Sequence, residues 1–303
     1  MESVTEWKRK ENRYHMISHE GKDGLTYLTF PVLDGAENVR HLFSTRKGGV
    51  SRGIYESMNL SFHRGDDAEN VLENFRRIAA LFDSTPDKSV CAKQTQTTGT
   101  DPEHMVASKQ THTTNIRRVT KEDAGKGVTK EPDYEEIDGL ITNEPELILC
   151  TSFADCVPLY FVDPKKQAIG LAHSGWRGTV NRMGARMIEE MKRQFGSNPG
   201  DLLVAVGPSI CVDCYEVGED VAGEFQKAFP DTVVLQKGKQ EGKYQLDLWK
   251  ANEQLLLDAG IRKEHLEITD LCTCCNPELL FSHRASHGQR GNLCAFLELT
   301  GKH

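Results

Sequence analysis

Apolar residues recur along this chain with two different spacings, and each change of spacing marks an element. Over residues 66–83, Val71, Phe75, Ile78, Ala79 and Phe82 fall three or four apart, on one face of a helix that Asp66 or Asp67 can cap. Thr179 to Phe195 repeats the pattern with Met183, Met187, Ile188, Met191 and Phe195, and Gly196 supplies a C-terminal stop. Residues 220–229 and 248–260 predict two more helices. Short apolar and β-branched runs predict strands at TYLTFPVL (26–33), VRHLFSTR (39–46), LILCTSF (147–153), CVPLYFVD (156–163) and QAIGLAH (167–173). Further strands are expected at 202–207, 232–236, 244–247 and 265–270. MVASKQTHTTNIRRV (105–119) places Met105, Val106, Ile116 and Val119 around a polar turn, as two strand ends would be. Strands and helices interleave without a regular βαβ rhythm. The expected class is therefore α+β, with mixed β-sheets flanked by helices in a single domain. No Pro/Gly/Ser-rich linker divides the chain, so residues 1–24 read as a loosely held leader and 25–303 as one catalytic domain.

Composition narrows the function classes. A formal net charge of −8 over 303 residues argues against broad attraction to nucleic acid or anionic membrane. The start, MESVTEWKRKENRYH, lacks the apolar core of a signal peptide, and the most apolar stretch is interrupted by Asp155. A cytoplasmic protein is expected. Nine cysteines in a long chain make a disulfide scaffold improbable. Cys211-x-x-Cys214 has zinc-knuckle spacing but no evident matching pair, and Cys272-x-Cys274-Cys275 is a second cluster; buried structural thiols are the default for both. The GxGxxG and GxxxxGK[ST] phosphate loops, HExxH and GxSxG are absent.

Candidate chemistry concentrates around Cys156 and His173. In an antiparallel hairpin closed by the 164–166 turn, one register sets them directly opposite, with Cβ atoms ~5 Å apart; a slip of one residue would separate them to opposite faces. Two chemistries fit, a Cys–His nucleophilic pair or a shared metal. Asp155 beside the thiol could orient a ligand. SGWRG after the histidine turns the chain into a helix whose N-terminus, with Arg177, would suit an anion. A six-residue phrase occurs twice, as KQTQTT at 93–98 and KQTHTT at 109–114, so that Gln96 stands where the second copy has His112.

FSTRKGGVS (43–51), MNLSFHRGDD (58–67), KQTH (109–112), DGLIT (138–142), FADCVPLYF (153–161), AHSGWRG (172–178), GPSICVDCYEV (207–217) and FSHRASHGQRG (281–291) occur in one order. Together they resemble the YfiH-type family, whose members are called laccase-domain or polyphenol oxidoreductase proteins and also purine nucleoside phosphorylases. The resemblance spans about residues 25 to 298. It implies a zinc site built from His112, Cys156 and His173, which a glutamine in the first copy could not reproduce. The phrase usually continues with Gly, where this chain has Thr113. Three protein ligands leave a fourth position open, the catalytic pattern.

The resemblance implies phosphorolysis of purine nucleosides (adenosine, inosine, guanosine and S-methyl-5′-thioadenosine) and hydrolytic deamination of adenosine. Arg46 is the first candidate to gather phosphate, followed by Arg177 and Arg284. Asn59 and Asp138 are candidates for positioning ribose or base, although Asp138 could instead cap the turn in IDGL. His63, His283 and His287 read as structural or peripheral. Alternatives remain. Copper could occupy a His/Cys site, but polyphenol oxidation by several coppers needs HxH pairs, and none of the 11 histidines forms one. A metal-free hydrolase would use Cys156 and His173, and a partner-binding protein would use zinc only to hold its fold. The expected partners are nucleosides and phosphate, not nucleic acid or membrane, with a monomer or homodimer.

Overall fold

In the computed structural model, residues 6–11, 15–82 and 101–301 are described; the KQTQTT copy lies outside them. Two six-stranded sheets carry most of the backbone. The first takes the order β1-β2-β3-β15-β7-β4, from Ile17–Glu20, Thr26–Thr29, Val39–Ser44, Leu293–Leu299, Ile148–Phe153 and Met105–Ala107. The second runs β14-β10-β8-β9-β6-β5, from Leu266–Ile268, Leu203–Val206, Val157–Asp163, Ala168–Ser174, Gly139–Thr142 and Ile116–Arg118. A small sheet, β11-β13-β12 (Glu216–Gly218, Lys243–Leu246, Leu235–Lys237), lies apart from them. Pairing is mixed: β4 with β7, β5 with β6 and β10 with β14 are parallel, and the other pairs are antiparallel. The helices are α1 (Pro31–Asp34), α2 (Ala68–Ala79), α3 (Trp176–Val180), α4 (Met183–Phe195), α5 (Glu219–Ala228) and α6 (Leu248–Asp258). The fold is α+β, as expected.

Strands buried on both faces explain the long apolar runs. In β8, Tyr160 and Val162 face the core between the two large sheets, with Phe43, Leu149 and Leu297 of the first sheet. Their neighbours Leu159 and Phe161 face the other way, onto Met183, Met187 and Met191 of α4 and Leu255 and Leu256 of α6. The outer face of the first sheet packs Leu42, Ile148 and Phe296 against Val71, Phe75 and Ile78 of α2. The layers are thus helix, sheet, sheet, helices. Tyr160, fully buried, bonds across the sheets by donating its hydroxyl to the Leu42 carbonyl at 2.9 Å. Gly139 and Gly170 let α4 approach the second sheet, since a Cβ there would meet Met187 at 2.8 Å.

Several boundaries differ from those the pattern predicts. PVL at 31–33 begins a helix, because Pro31 has no N–H for a ladder yet suits a first helical turn. Asp67, not Asp66, caps α2 by accepting from the Glu69 N–H; Asp66 instead accepts from Asn59 Nδ2. The helix expected over 179–195 is two, broken at Arg182 with φ 63°, and Gly196 closes it at φ 70° as predicted. Within the stretch expected as a loose leader, β1 is an edge strand and Arg9 bonds to buried Asp270 at 2.5 Å. No helix among the described residues is long and apolar enough to cross a membrane.

Glu267 in β14 is buried, with one carboxylate oxygen accepting from the Val32 N–H at 2.9 Å and the other unpartnered. Burial pushes its carboxyl up from the ordinary 4.5 to about 7, with Asp34 and Asp270 adding to the shift. Because the folded value is raised, the native chain holds this proton more tightly than the unfolded chain. Its penalty is absent below pH about 4.5 and grows until ionisation is complete above pH about 7. Glu267→Gln, which keeps the acceptor for Val32, therefore raises the melting temperature at pH 8. Melting curves at pH 8 and pH 5 check it: the gain should fade at the lower pH.

Candidate metal centre

The centre forms where the chain crosses from one large sheet to the other. β7 ends at Phe153, a turn at 154–156 follows, and β8 begins in the second sheet. Asp155, at φ 85°, holds that turn. Its carboxylate accepts from Thr273 Oγ1 at 2.6 Å and from the Arg284 N–H at 2.7 Å, while its carbonyl accepts from the Ile210 N–H at 3.0 Å. Asp155 therefore positions the loop carrying Cys156 and makes no bond to the other ligands.

The hairpin register pairs Pro158 with His173 and Val157 with Ser174. Direct opposition of Cys156 and His173 is thus corrected by two residues: Cys156 stands diagonal to His173 on the same face, across from Gly175. The parity of the ladder keeps both side chains together. Gly175 leaves room beside Cys156 and His112, since a Cβ there would lie 3.0 Å from Cys156 Sγ and 3.1 Å from His112 Cδ2. Its backbone, at φ −70° and ψ −176°, would itself accept alanine. Gly175→Ala should then fold normally but weaken metal affinity roughly 10-fold, as displacement of supporting groups does. Competition with a chromogenic chelator measures it.

His112 enters from the loop between β4 and β5. Gln110 fixes that loop to β7, donating to the Ser152 carbonyl at 2.9 Å and accepting from the Ser152 N–H at 2.7 Å. Asp138, fully buried just before β6, gathers the rest. Its oxygens accept from the N–H groups of Thr111, His112 and Thr113 at 3.0, 3.1 and 3.0 Å and from Thr113 Oγ1 at 3.1 Å. This explains how His112 sits at φ 65° with Thr113 after it. The same carboxylate accepts from His173 Nδ1 at 2.8 Å, which turns Nε2 towards the other ligands. Asp138, expected to position ribose or base, thus ties the loop of His112 to the ring of His173.

The three donor atoms lie within 4.8 Å of one another, with His112 Nε2 3.9 Å from Cys156 Sγ. Burial pushes the Cys156 thiol up, but the charge of His173 and hydrogen bonds from both histidines bring it down to about 6. Burial likewise pushes His173 down, and Cys156 and Asp138 overcome it to about 9. For Asp138, burial raises and the His173 bond and charge more than reverse it. A sulfur already favoured as thiolate, two imidazoles and an anchored tautomer suit a borderline-soft divalent ion. The residues fit such a metal, and all three line one cleft from which a fourth ligand could come.

That cleft is a cavity of about 1050 Å³ into which His112, Cys156 and His173 open. Phe62 and Tyr215 offer aromatic walls, Arg64, Arg284 and Arg290 bring positive charge, and His63 and His283 add ring nitrogens to the lining. Arg64 donates to the Gly288 carbonyl and Arg290 to the oxygens of Gly291 and Asn292, so neutral groups hold both and leave their charge available. Burial, reinforced by Arg64, lowers Arg290 to about 10. Arg64 and Arg290 are residues that sequence reasoning passed over, and His63 and His283, read there as structural or peripheral, line the same cleft; the signal was their density in FHRGDD and SHRASHGQR.

The other expected residues are placed differently. Arg46 lines a separate small recess, with its guanidinium donating to the Glu56 and Pro277 carbonyls and lying 4.7 Å above Phe281. Asn59 is fully buried and ties two loops, donating to Asp66 and accepting from the Asn292 N–H. Arg177 stacks on Trp176 at 4.2 Å, on a helix of only five residues, outside the cleft lining. Arg284 does line the cleft, with its guanidinium donating to the Cys214 and Glu216 carbonyls, both at 3.1 Å.

The chain is 36% identical over 257 residues to the purine nucleoside phosphorylase YlmD of Bacillus subtilis (strain 168), covering 84% of this chain and 86% of that protein. It is 32% identical over 257 residues to adenosine deaminase RL5 of an unknown prokaryotic organism, covering 83% and 92%. Among solved structures, YlmD from Geobacillus stearothermophilus superposes with a TM-score of 0.83 at 32% identity, covering 94% of this chain and 100% of that one. Bacillus licheniformis YfiH gives 0.79 at 32% identity, covering 90% and 96%. Residues 40–300 match the model of one family, and the chain belongs to it: the multi-copper polyphenol oxidoreductase laccase family.

Proposed function

We propose that this chain is a zinc-dependent purine nucleoside phosphorylase that also deaminates adenosine, acting in the cytoplasm as a monomer or homodimer. The observation that carries the reading is the convergence of His112, Cys156 and His173 at the floor of a cation-lined cleft. The names of its relatives support the substrate class. The cavity, about 1050 Å³, is roomy enough for a nucleoside with phosphate beside it. Zinc, when bound, supplies a Lewis acid and hydroxide at neutral pH.

The chain's own residues do the remaining work. Asp138 holds the Nδ1 proton of His173 and fixes the loop of His112, so neither ligand reorganises during turnover. Phe62 and Tyr215 present faces against which a purine or ribose can pack. Arg64, His283 and Arg290 gather phosphate near the centre, in place of Arg46. In phosphorolysis a phosphate oxygen forms the bond to C1′ as the bond from C1′ to the base nitrogen breaks. Charge-assisted contacts that orient the phosphate lower the entropic part of that barrier.

Arg290→Met tests the assignment. Loss of one charged hydrogen-bonding group predicts a KM for phosphate raised roughly 10- to 100-fold, with adenosine deamination unchanged. Equal loss of both activities would show that Arg290 serves the cleft as a whole and not phosphate. The metal-free hydrolase draws on the same Cys156–His173 pair but gives His112 no task, whereas a metal uses all three. A multi-copper array is the weaker reading, because among the described residues the metal-competent groups are this triad and one cluster of cysteines.

A further inference from the structure

Behind the cleft wall, Cys211, Cys214, Cys272 and Cys275 have their sulfur atoms within 4.8 Å of one another. We propose that these four thiolates form a second metal centre, a closed tetrathiolate site for zinc that braces the wall of the cleft. Cys214 Sγ lies 3.5 Å and Cys211 Sγ 3.9 Å from Cys275 Sγ. Tetrahedral zinc with bonds of about 2.3 Å sets its sulfur ligands about 3.8 Å apart, whereas a disulfide requires about 2.05 Å. The spacing is that of ligands around one small cation.

The sequence supplies the matching pair that Cys211-x-x-Cys214 lacks on its own. Within CTCC, Cys272 and Cys275 are a second CxxC, and Cys274 stands outside the group. The two pairs are 61 residues apart. Parallel pairing of β10 with β14 brings their following loops side by side, and the pairing continues as a bridge from Ser209 to Cys272. The Cys211 N–H donates to Cys272 Sγ at 3.2 Å, which ties the two loops together at the cluster. Lys10, bonded to Asp213 at 2.8 Å, brings a positive charge to a site whose four thiolates would leave zinc with a net negative charge.

Four protein ligands leave no open position, so the site is structural rather than catalytic. Each loop also reaches the cleft. The Cys214 carbonyl accepts from Arg284, and Thr273 donates to Asp155, the neighbour of Cys156. Closing a long loop with a metal gains stability by restricting the unfolded chain. The same clamp holds the turn from which the first centre takes its thiolate.

The test is metal content and thiol count on the full-length protein as purified. Wild type should carry about two zinc ions per chain, and Cys214→Ser/Cys275→Ser about one. His112→Ala/His173→Ala should also carry about one, removed from the other centre. Denatured without reductant, the wild type should titrate all four cysteines as thiols. Unchanged zinc in Cys214→Ser/Cys275→Ser, or disulfides among the four, would overturn the proposal. If that variant fails to fold, cobalt loading of His112→Ala/His173→Ala decides. Sulfur-to-cobalt charge-transfer bands with intense tetrahedral d–d bands support a tetrathiolate, and their absence refutes it.

Discussion

His112→Gln leaves a folded protein that no longer turns over nucleosides. The substitution copies the first KQT phrase into the second, so it changes one donor atom and little else. His112 is exposed, and what holds its loop is the backbone: the Thr111, His112 and Thr113 N–H groups on Asp138, with Gln110 clamped to Ser152. None of these bonds needs the imidazole. The metal-free forms of both proteins should therefore melt within about 2 °C of each other, as surface changes do. A glutamine amide is a poor ligand for a borderline-soft ion. Turnover should fall by more than about 100-fold, beyond the usual cost of disturbing a group that merely supports a ligand. Steady-state kinetics beside a melting curve measures both halves. Retained turnover would remove His112 from the centre.

Asp138→Asn should damage both metal affinity and the fold. Five hydrogen bonds end on this fully buried carboxylate: three backbone N–H groups, the Thr113 hydroxyl and His173 Nδ1. An asparagine presents one oxygen and one NH₂, so donors that now meet a carboxylate oxygen would face another donor. Each buried N–H left without an acceptor costs about 1–3 kcal/mol. Loss of the anchor also frees the ring of His173, which predicts metal binding weaker by about 10- to 100-fold. Urea unfolding of the metal-free protein should register a loss of about 3–5 kcal/mol, the usual cost of breaking a buried pair. Wild-type metal affinity in this variant would show that Asp138 shapes the loop without setting the ligands.

The contrast between these variants reflects what could be read from the chain. The convergence of His112, Cys156 and His173 was legible because they sit in compact phrases, KQTH, ADC and AHSGWRG, whose order carries the resemblance. Asp138 was visible as a polar residue, but its bond to His173, 35 residues on, depends on β6 pairing with β9. Local pattern holds no record of that register. The same blindness left the register of Cys156 against His173 open, where the ladder makes them diagonal. Arg46 was a phosphate candidate through the resemblance, and the structure places it in a separate recess, donating to two carbonyls and stacked on Phe281.

Helices with one apolar stripe were read most closely, since α2 and α4 each bury a single face. Strands buried on both sides are harder, because an apolar run does not say which sheet it joins. β15, between β3 and β7 at the heart of the first sheet, was not recognised from LCAFLEL at all. The four cysteines show the same limit: each CxxC is local, and only the parallel pairing of β10 and β14 makes them one cluster.

Product analysis of adenosine and inosine incubated with the purified protein, with and without phosphate and alongside its zinc content, tests the proposed activity most directly. Inosine should release hypoxanthine together with ribose 1-phosphate, and only when phosphate is present; adenosine should give inosine without it. Both activities should disappear on chelation and return with zinc. Base release that ignores phosphate, or turnover that survives full removal of the metal, would contradict a zinc-dependent phosphorylase and return the cleft to the Cys156–His173 pair.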